Sequence, residues 1–102
     1  MDFEFYRNFI TVAETGNLTT ASKKLALAQP ALSAQIKTLE HYYGAKLIQT
    51  ARGKRQLTLT EAGEQLYQSC RQIVQLAQQA EQRLAELRDA PVGGVRIAAP
   101  VG

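Results

Sequence analysis

The stretch "AQPALSAQIKTLEHYYG", residues 28–44, carries Leu32, Ile36, Leu39 and Tyr43 on one side of a helix, the spacing of a core-facing stripe. Pro30 fits the first turn, where its missing N–H has no intrahelical partner, so the helix is expected to begin at Gln29 or Pro30. Gly44 is expected to end it. The opposite side, Pro30, Ser33, Ala34, Lys37 and His41, is mostly small and uncharged. A face that meets only water usually carries Lys and Glu, so this one is shaped to lie against something. An ordinary solvent-facing helix with an early serine is the plain alternative, and the flanking sequence decides between the two.

Upstream, Phe5, Phe9, Val12 and Ala13 form the stripe of a first helix that should stop near Gly16. Asn17 then caps a short second helix, with Leu18, Ala21 and Leu25 on one face, running to about Ala26. Two helices joined by a few residues match a helix-turn-helix. Downstream, the runs 47–50 and 56–59 alternate apolar and polar residues around "ARGKR", and Gly53 suits a tight reversal. This predicts a two-stranded wing with Arg52, Lys54 and Arg55 at its tip.

A third region begins at Thr60, capped either by Thr60 itself or by Thr58 in a capping box with Glu61, and stays helical to about Arg88. At 1.5 Å per residue this helix is roughly 40 Å long. Leu66, Cys70, Ile73, Ala77, Ala80, Leu84 and Leu87 follow one another in steps of four and three, with Gly63 one step earlier. The outer part of such a seam has no second long helix in this chain to cover it, so it predicts dimerisation. The tail "DAPVGGVRIAAPVG" reads as a hinge, with Pro91 and Gly93-Gly94, leading into a strand of a domain that is not included. The expected organisation is mainly α: a winged helix-turn-helix over residues 1–59, a dimerisation helix over 60–89, and a hinge with a first strand over 90–102.

The charge is uneven. Residues 23–55 hold seven bases, Lys23, Lys24, Lys37, Lys46, Arg52, Lys54 and Arg55, against Glu40, whereas the flanks are mildly acidic. Basic charge gathered on the segment with the slim helix points to a polyanionic partner. With 102 residues, one cysteine and one histidine, the chain is a small domain with a modest core and can build neither an internal disulfide nor a Cys/His metal cluster. No nucleophile with a base, phosphate-cradling glycine loop or ligand cluster is legible, so neither catalysis nor a cofactor is expected. Asp2 and Glu4 stand where a secretory signal carries positive charge, and no apolar run reaches the ~20 residues of a spanning helix, which reads as cytoplasmic with no membrane partner.

A groove-entering helix must be narrow and must carry hydrogen-bonding groups. Gln29 can make a two-point contact to adenine, Ser33 can donate or accept, Lys37 can reach a phosphate or guanine, and Ala34 can pack on a thymine methyl. Lys23 and Lys24 on the second helix are candidate phosphate contacts, with Lys24 included in the expected interface, and plain solubility is the alternative. Cys70 reads as a small seam residue and not as a redox sensor, since only Arg71 is an obvious nearby base. A competing class is a protein interaction module in which the long helix does the binding and the basic segment is incidental.

The run from Phe3 to about Asp89, with "QPALSAQIKTLE" and "LTLTEAG" as its closest matches, resembles the amino-terminal DNA-binding domain of LysR-type transcriptional regulators. The resemblance implies a winged helix-turn-helix on double-stranded DNA, a linker helix that pairs antiparallel with that of a second copy, and dimers or tetramers of the full-length protein. It also implies a small-molecule effector held by the domain that is not included. By position, Gln29, Pro30 and Ser33 match the family's groove contacts, and Arg52 and Arg55 fall in the wing that reaches toward the minor groove. Several positions depart from the family pattern: Ala34 stands where a basic residue is frequent, Ala28 where serine usually precedes the glutamine, Ile48 where Phe is usual, and Thr50 where Arg is usual. Without the serine, the helix lacks an N-cap, at a cost of ~1 kcal/mol.

Overall fold

The computed structural model describes residues 1–50 and 56–89. The expected wing tip, with Arg52, Lys54 and Arg55, and the expected hinge and strand at 90–102 lie outside the described residues. Helix α1 spans Phe3–Thr15, with Asp2 accepting from the Glu4 amide at its start. It ends at Gly16, whose φ of 66° is the left-handed conformation glycine adopts without strain. Helix α2 spans Leu18–Leu25, capped by the Asn17 side chain on the Thr20 amide, and α3 spans Gln29–Tyr43. Strands β1, Ile48–Thr50, and β2, Leu57–Leu59, pair antiparallel with Ile48 opposite Leu59 and Thr50 opposite Leu57. Helix α4 spans Glu61–Arg88.

The core is built from one face of each element: Phe9 and Val12 of α1, Ala21 of α2, Leu32, Ile36 and Leu39 of α3, Leu47 and Leu57 beside and within the hairpin, and Cys70 of α4. Tyr43 departs from its expected core position. The last turn of α3 runs past the core, leaving its ring exposed edge-on to Tyr42, while its hydroxyl shares a hydrogen bond of 2.7 Å with that of Tyr6. Partial desolvation of the hydroxyl, the Tyr6 hydrogen bond and neighbouring charge all push the Tyr43 phenol upward from its ordinary value.

Three short links fix the hairpin. The Glu40 carboxylate accepts from the amides of Leu47 at 2.8 Å and Ile48 at 3.5 Å, joining the end of α3 to β1. The Leu57 amide donates to the Gly16 carbonyl at 2.8 Å, tying β2 to the α1–α2 turn. Thr60 settles the choice of cap: its hydroxyl accepts from the Gly63 amide and donates to the Lys46 carbonyl, while its own amide donates to the Leu47 carbonyl. Thr58 lies within β2 and caps nothing. Gly63 is buried where α4 crosses the hairpin, and a Cβ there would stand 2.0 Å from the Leu47 carbonyl oxygen.

Cys70 requires a correction to the seam. It is fully buried within its own chain, among the core residues, and is therefore unavailable to a second copy. Leu66 is partly buried against the same core, and Ala77 is half-buried in a recess shared with Phe3 and Arg7 of α1. The apolar side chains of α4 that do face outward are Ile73, Leu76, Leu84 and Leu87, at 37%, 64%, 64% and 69% exposure, with exposed Ala80 between them.

Candidate nucleic-acid interface

The connection between α2 and α3 positions the reading face. Ala26 ends α2 with φ 55°, and the amides of Ala26 and Leu27 turn back onto the carbonyls of Lys23 and Ser22. Buried Ser22 donates to the Thr19 carbonyl at 2.8 Å, which holds the first turn of α2 in place. The chain then enters α3 with Ala28 at the cap position and no side-chain hydrogen bond there, as the missing serine implies. Two side-chain contacts pin α3 instead: Asn8 of α1 donates to Gln35 at 2.7 Å, and Thr19 of α2 donates to Gln29 at 3.2 Å.

With Leu32, Ile36 and Leu39 buried, Pro30, Ala34 and Lys37 are exposed on α3, Gln29 is exposed at its start, and Ser33 is half-buried beside them. The five α3 residues read as groove contacts thus lie along one outward side. Pro30 and Ala34 keep it narrow, and Lys37 is its one charge. A groove about 12 Å wide admits a helix with such a face. The end of β1 joins it: Thr50, Gln29, Thr19 and Leu18 surround one open recess of about 460 Å³. Arg52, Lys54 and Arg55 follow Thr50 within a few residues in sequence, outside the described residues.

The electrostatics favour an anion. Among the described residues the ion pairs are Arg7 with Glu4 and Arg88 with Asp89, so no carboxylate pairs with Lys23, Lys24, Lys37 or Lys46. Glu40, the single acid of the basic segment, is occupied by backbone amides of the hairpin. Lys24 is exposed but stands apart from the α3 face, lining a recess with Thr11, Glu14 and Thr15 of α1. Among the described residues no group of acids, His and Cys could hold a metal ion, and no helix is long and apolar enough to cross a membrane.

Two residues fall outside the expected seam and reading face. Leu76 is among the most exposed leucines of α4, yet the four-and-three spacing passes through Ala77 instead. Thr19 touches Gln29 from another helix, a contact no local periodicity reports. The periodic signal for Leu76 exists, since it lies three residues after Ile73, but it runs beside an equally regular inner stripe.

Three helices with the third presented outward, followed by an antiparallel hairpin, define a winged helix-turn-helix, here carrying a long projecting helix. Residues 3–64 match the pattern of the bacterial regulatory helix-turn-helix protein, lysR family, and the chain belongs to that family. It is 37% identical over 89 residues to the HTH-type transcriptional regulator CfxR of Cupriavidus necator, covering 87% of this chain and 27% of that protein. It is also 37% identical over 97 residues to the nitrogen assimilation regulatory protein nac of Escherichia coli K12, covering 95% of this chain and 31% of the relative. Among solved structures, the BenM DBD in complex with catB site 1 DNA superposes with a TM-score of 0.82 at 31% identity, covering 89% of this chain and 99% of that one. The chain thus spans about a third or less of the length of these two curated relatives, and nearly the whole of the BenM domain.

Proposed function

We propose that this chain is the sequence-specific DNA-binding part of a cytoplasmic transcriptional regulator. It acts as a homodimer in which α3 enters the major groove and the hairpin tip reaches toward the adjacent minor groove. The observation that carries the proposal is the α3 face from Gln29 to Lys37: exposed, narrow and free of carboxylates. The exposed lysines around it have no acidic partner among the described residues. The complex of the BenM DBD with DNA supports the same use of this fold.

Within this reading Gln29, Ser33 and Lys37 contact base edges, Pro30 and Ala34 allow the close approach, and Lys24, Arg52, Lys54 and Arg55 contact backbone phosphate. Ile73, Leu76, Ala80, Leu84 and Leu87 form the dimer contact of α4, which presents two copies of α3 to a two-fold site. Control by a small molecule belongs to a further domain, for which the greater length of the relatives leaves room. The role is binding, with no reaction assigned.

The test is selection from a pool of random duplexes, with the bound fraction sequenced at two salt concentrations. The expected result is an interrupted palindrome that stays enriched at the higher salt. Uniform binding that salt abolishes is the contrary result. It would reduce the basic segment to an electrostatic surface and favour a protein interaction module built on α4.

A further inference from the structure

Gln29 begins α3 without a cap to hold it, and the contact that orients its side chain comes from α2, where the Thr19 hydroxyl donates to the Gln29 Oε1 at 3.2 Å. Thr19 is itself well placed for this. Its carbonyl accepts from Ser22 Oγ at 2.8 Å, and the Asn17 cap on the Thr20 amide at 2.9 Å fixes the turn it sits in. Being β-branched, it has few side-chain rotamers to lose. With the amide oxygen tied to α2, the amide nitrogen is the end of Gln29 left to reach outward, and among the described residues no protein acceptor takes its protons.

We propose that Thr19 is a specificity-positioning residue that makes Gln29 present hydrogen-bond donors, and not its carbonyl, to the DNA. The inference rests on the reading of α3 as the groove helix. A glutamine free to turn its amide offers either a donor or an acceptor and can adapt to any base. A glutamine held by its oxygen keeps that end turned toward α2 and leads with its N–H groups, which suit the N7 of either purine, O6 of guanine and O4 of thymine. They oppose the N4 amino group of cytosine, itself a donor. Thr19 thereby excludes cytosine at the base Gln29 faces, without touching the DNA.

The experiment compares the wild type with Thr19→Val, which keeps the shape and removes the hydroxyl, Thr19→Ser, which keeps the hydroxyl, and Gln29→Ala. Competition anisotropy measures their affinity for four duplexes differing only at the base pair whose preference Gln29→Ala abolishes. The wild type and Thr19→Ser should disfavour cytosine there. Thr19→Val should lose about fivefold of that discrimination, the value of one hydrogen bond, with affinity for random DNA unchanged. In the Gln29→Ala background Thr19→Val should change nothing further. Full discrimination retained by Thr19→Val, or a uniform loss on all four duplexes, overturns the role of Thr19 and leaves the reading of α3 standing. If Gln29→Ala alters no base preference anywhere, the reading of Gln29 falls and the inference falls with it.

Discussion

Helix propensity alone says that Gly63→Ala should stabilise the protein, since a helical glycine costs about 1 kcal/mol relative to alanine. The structure reverses that sign. The added Cβ would stand 2.0 Å from the Leu47 carbonyl oxygen, 3.0 Å from its carbonyl carbon and 3.2 Å from the Leu59 Cβ. The first of these is a backbone atom and cannot rotate away. Leu47 is itself fixed: its side chain is buried, its amide donates to Glu40 and its carbonyl accepts from Thr60. Relief requires α4 and the hairpin to separate by roughly 1 Å, which strains the packing by about 1–3 kcal/mol. It also weakens one or two hydrogen bonds worth about 1 kcal/mol each. After subtracting the propensity gain, the net loss is about 1–4 kcal/mol. At about 4–8 °C per kcal/mol for a domain of this size, Tm should fall by at least about 4 °C. Thermal unfolding followed by circular dichroism at one fixed protein concentration measures it, with the pair Gln82→Ala and Gln82→Gly, at an exposed position of α4 outside the proposed dimer contact, as the scale for propensity alone. A Gly63→Ala variant that melts at or above the wild-type temperature would refute the packing of α4 on the hairpin described here.

Leu76→Glu combined with Leu84→Glu should leave the domain folded, because both side chains are largely exposed in the single chain, and should give a monomer by light scattering; a persistent dimer would move the contact to another surface. Burial raises the Cys70 thiol from its ordinary 9.0 to about 11. The folded chain therefore keeps a proton that the unfolded chain releases between those values. Its contribution to stability is complete below about pH 9 and is lost as pH rises toward 11. Between pH 8.5 and 10 the wild type should lose more Tm than Cys70→Ala, and parallel profiles would exclude the effect. Ala26→Gly should raise Tm by a few degrees, because a left-handed conformation costs a non-glycine residue about 1–2 kcal/mol, partly offset by the greater freedom of glycine when unfolded; an unchanged or lower Tm would show that the turn is unstrained.

The element ends marked by particular side chains were legible in the sequence. Asn17, Pro30, Gly16 and Gly44 each do locally what their chemistry favours, and the helices start and stop beside them. The end of α2 at Ala26 follows the apolar pattern, but its left-handed backbone leaves no mark, because alanine does not favour that conformation. The choice between Thr58 and Thr60 as a cap depended on where β2 ends, which only the pairing of the hairpin decides. On α4, steps of three and four describe two neighbouring stripes equally well. One, through Tyr67, Cys70 and Val74, meets the domain, and the other, through Ile73, Leu76 and Ala80, does not. Spacing placed Cys70 and Ile73 on one seam, and only burial separates them. The α3 face was legible because small side chains at outward positions are themselves unusual, whereas the Thr19 contact joins residues ten apart on different helices.

The measurement that bears most directly on the central claim is a pair of anisotropy titrations at about 150 mM salt, one with the selected duplex and one with a scrambled duplex of the same composition. Binding should be at least about 10³-fold tighter to the selected site, the usual gap between specific and non-specific complexes, with two chains per duplex. Equal affinity for both duplexes would contradict sequence reading by α3 and leave residues 23–55 as an electrostatic surface only.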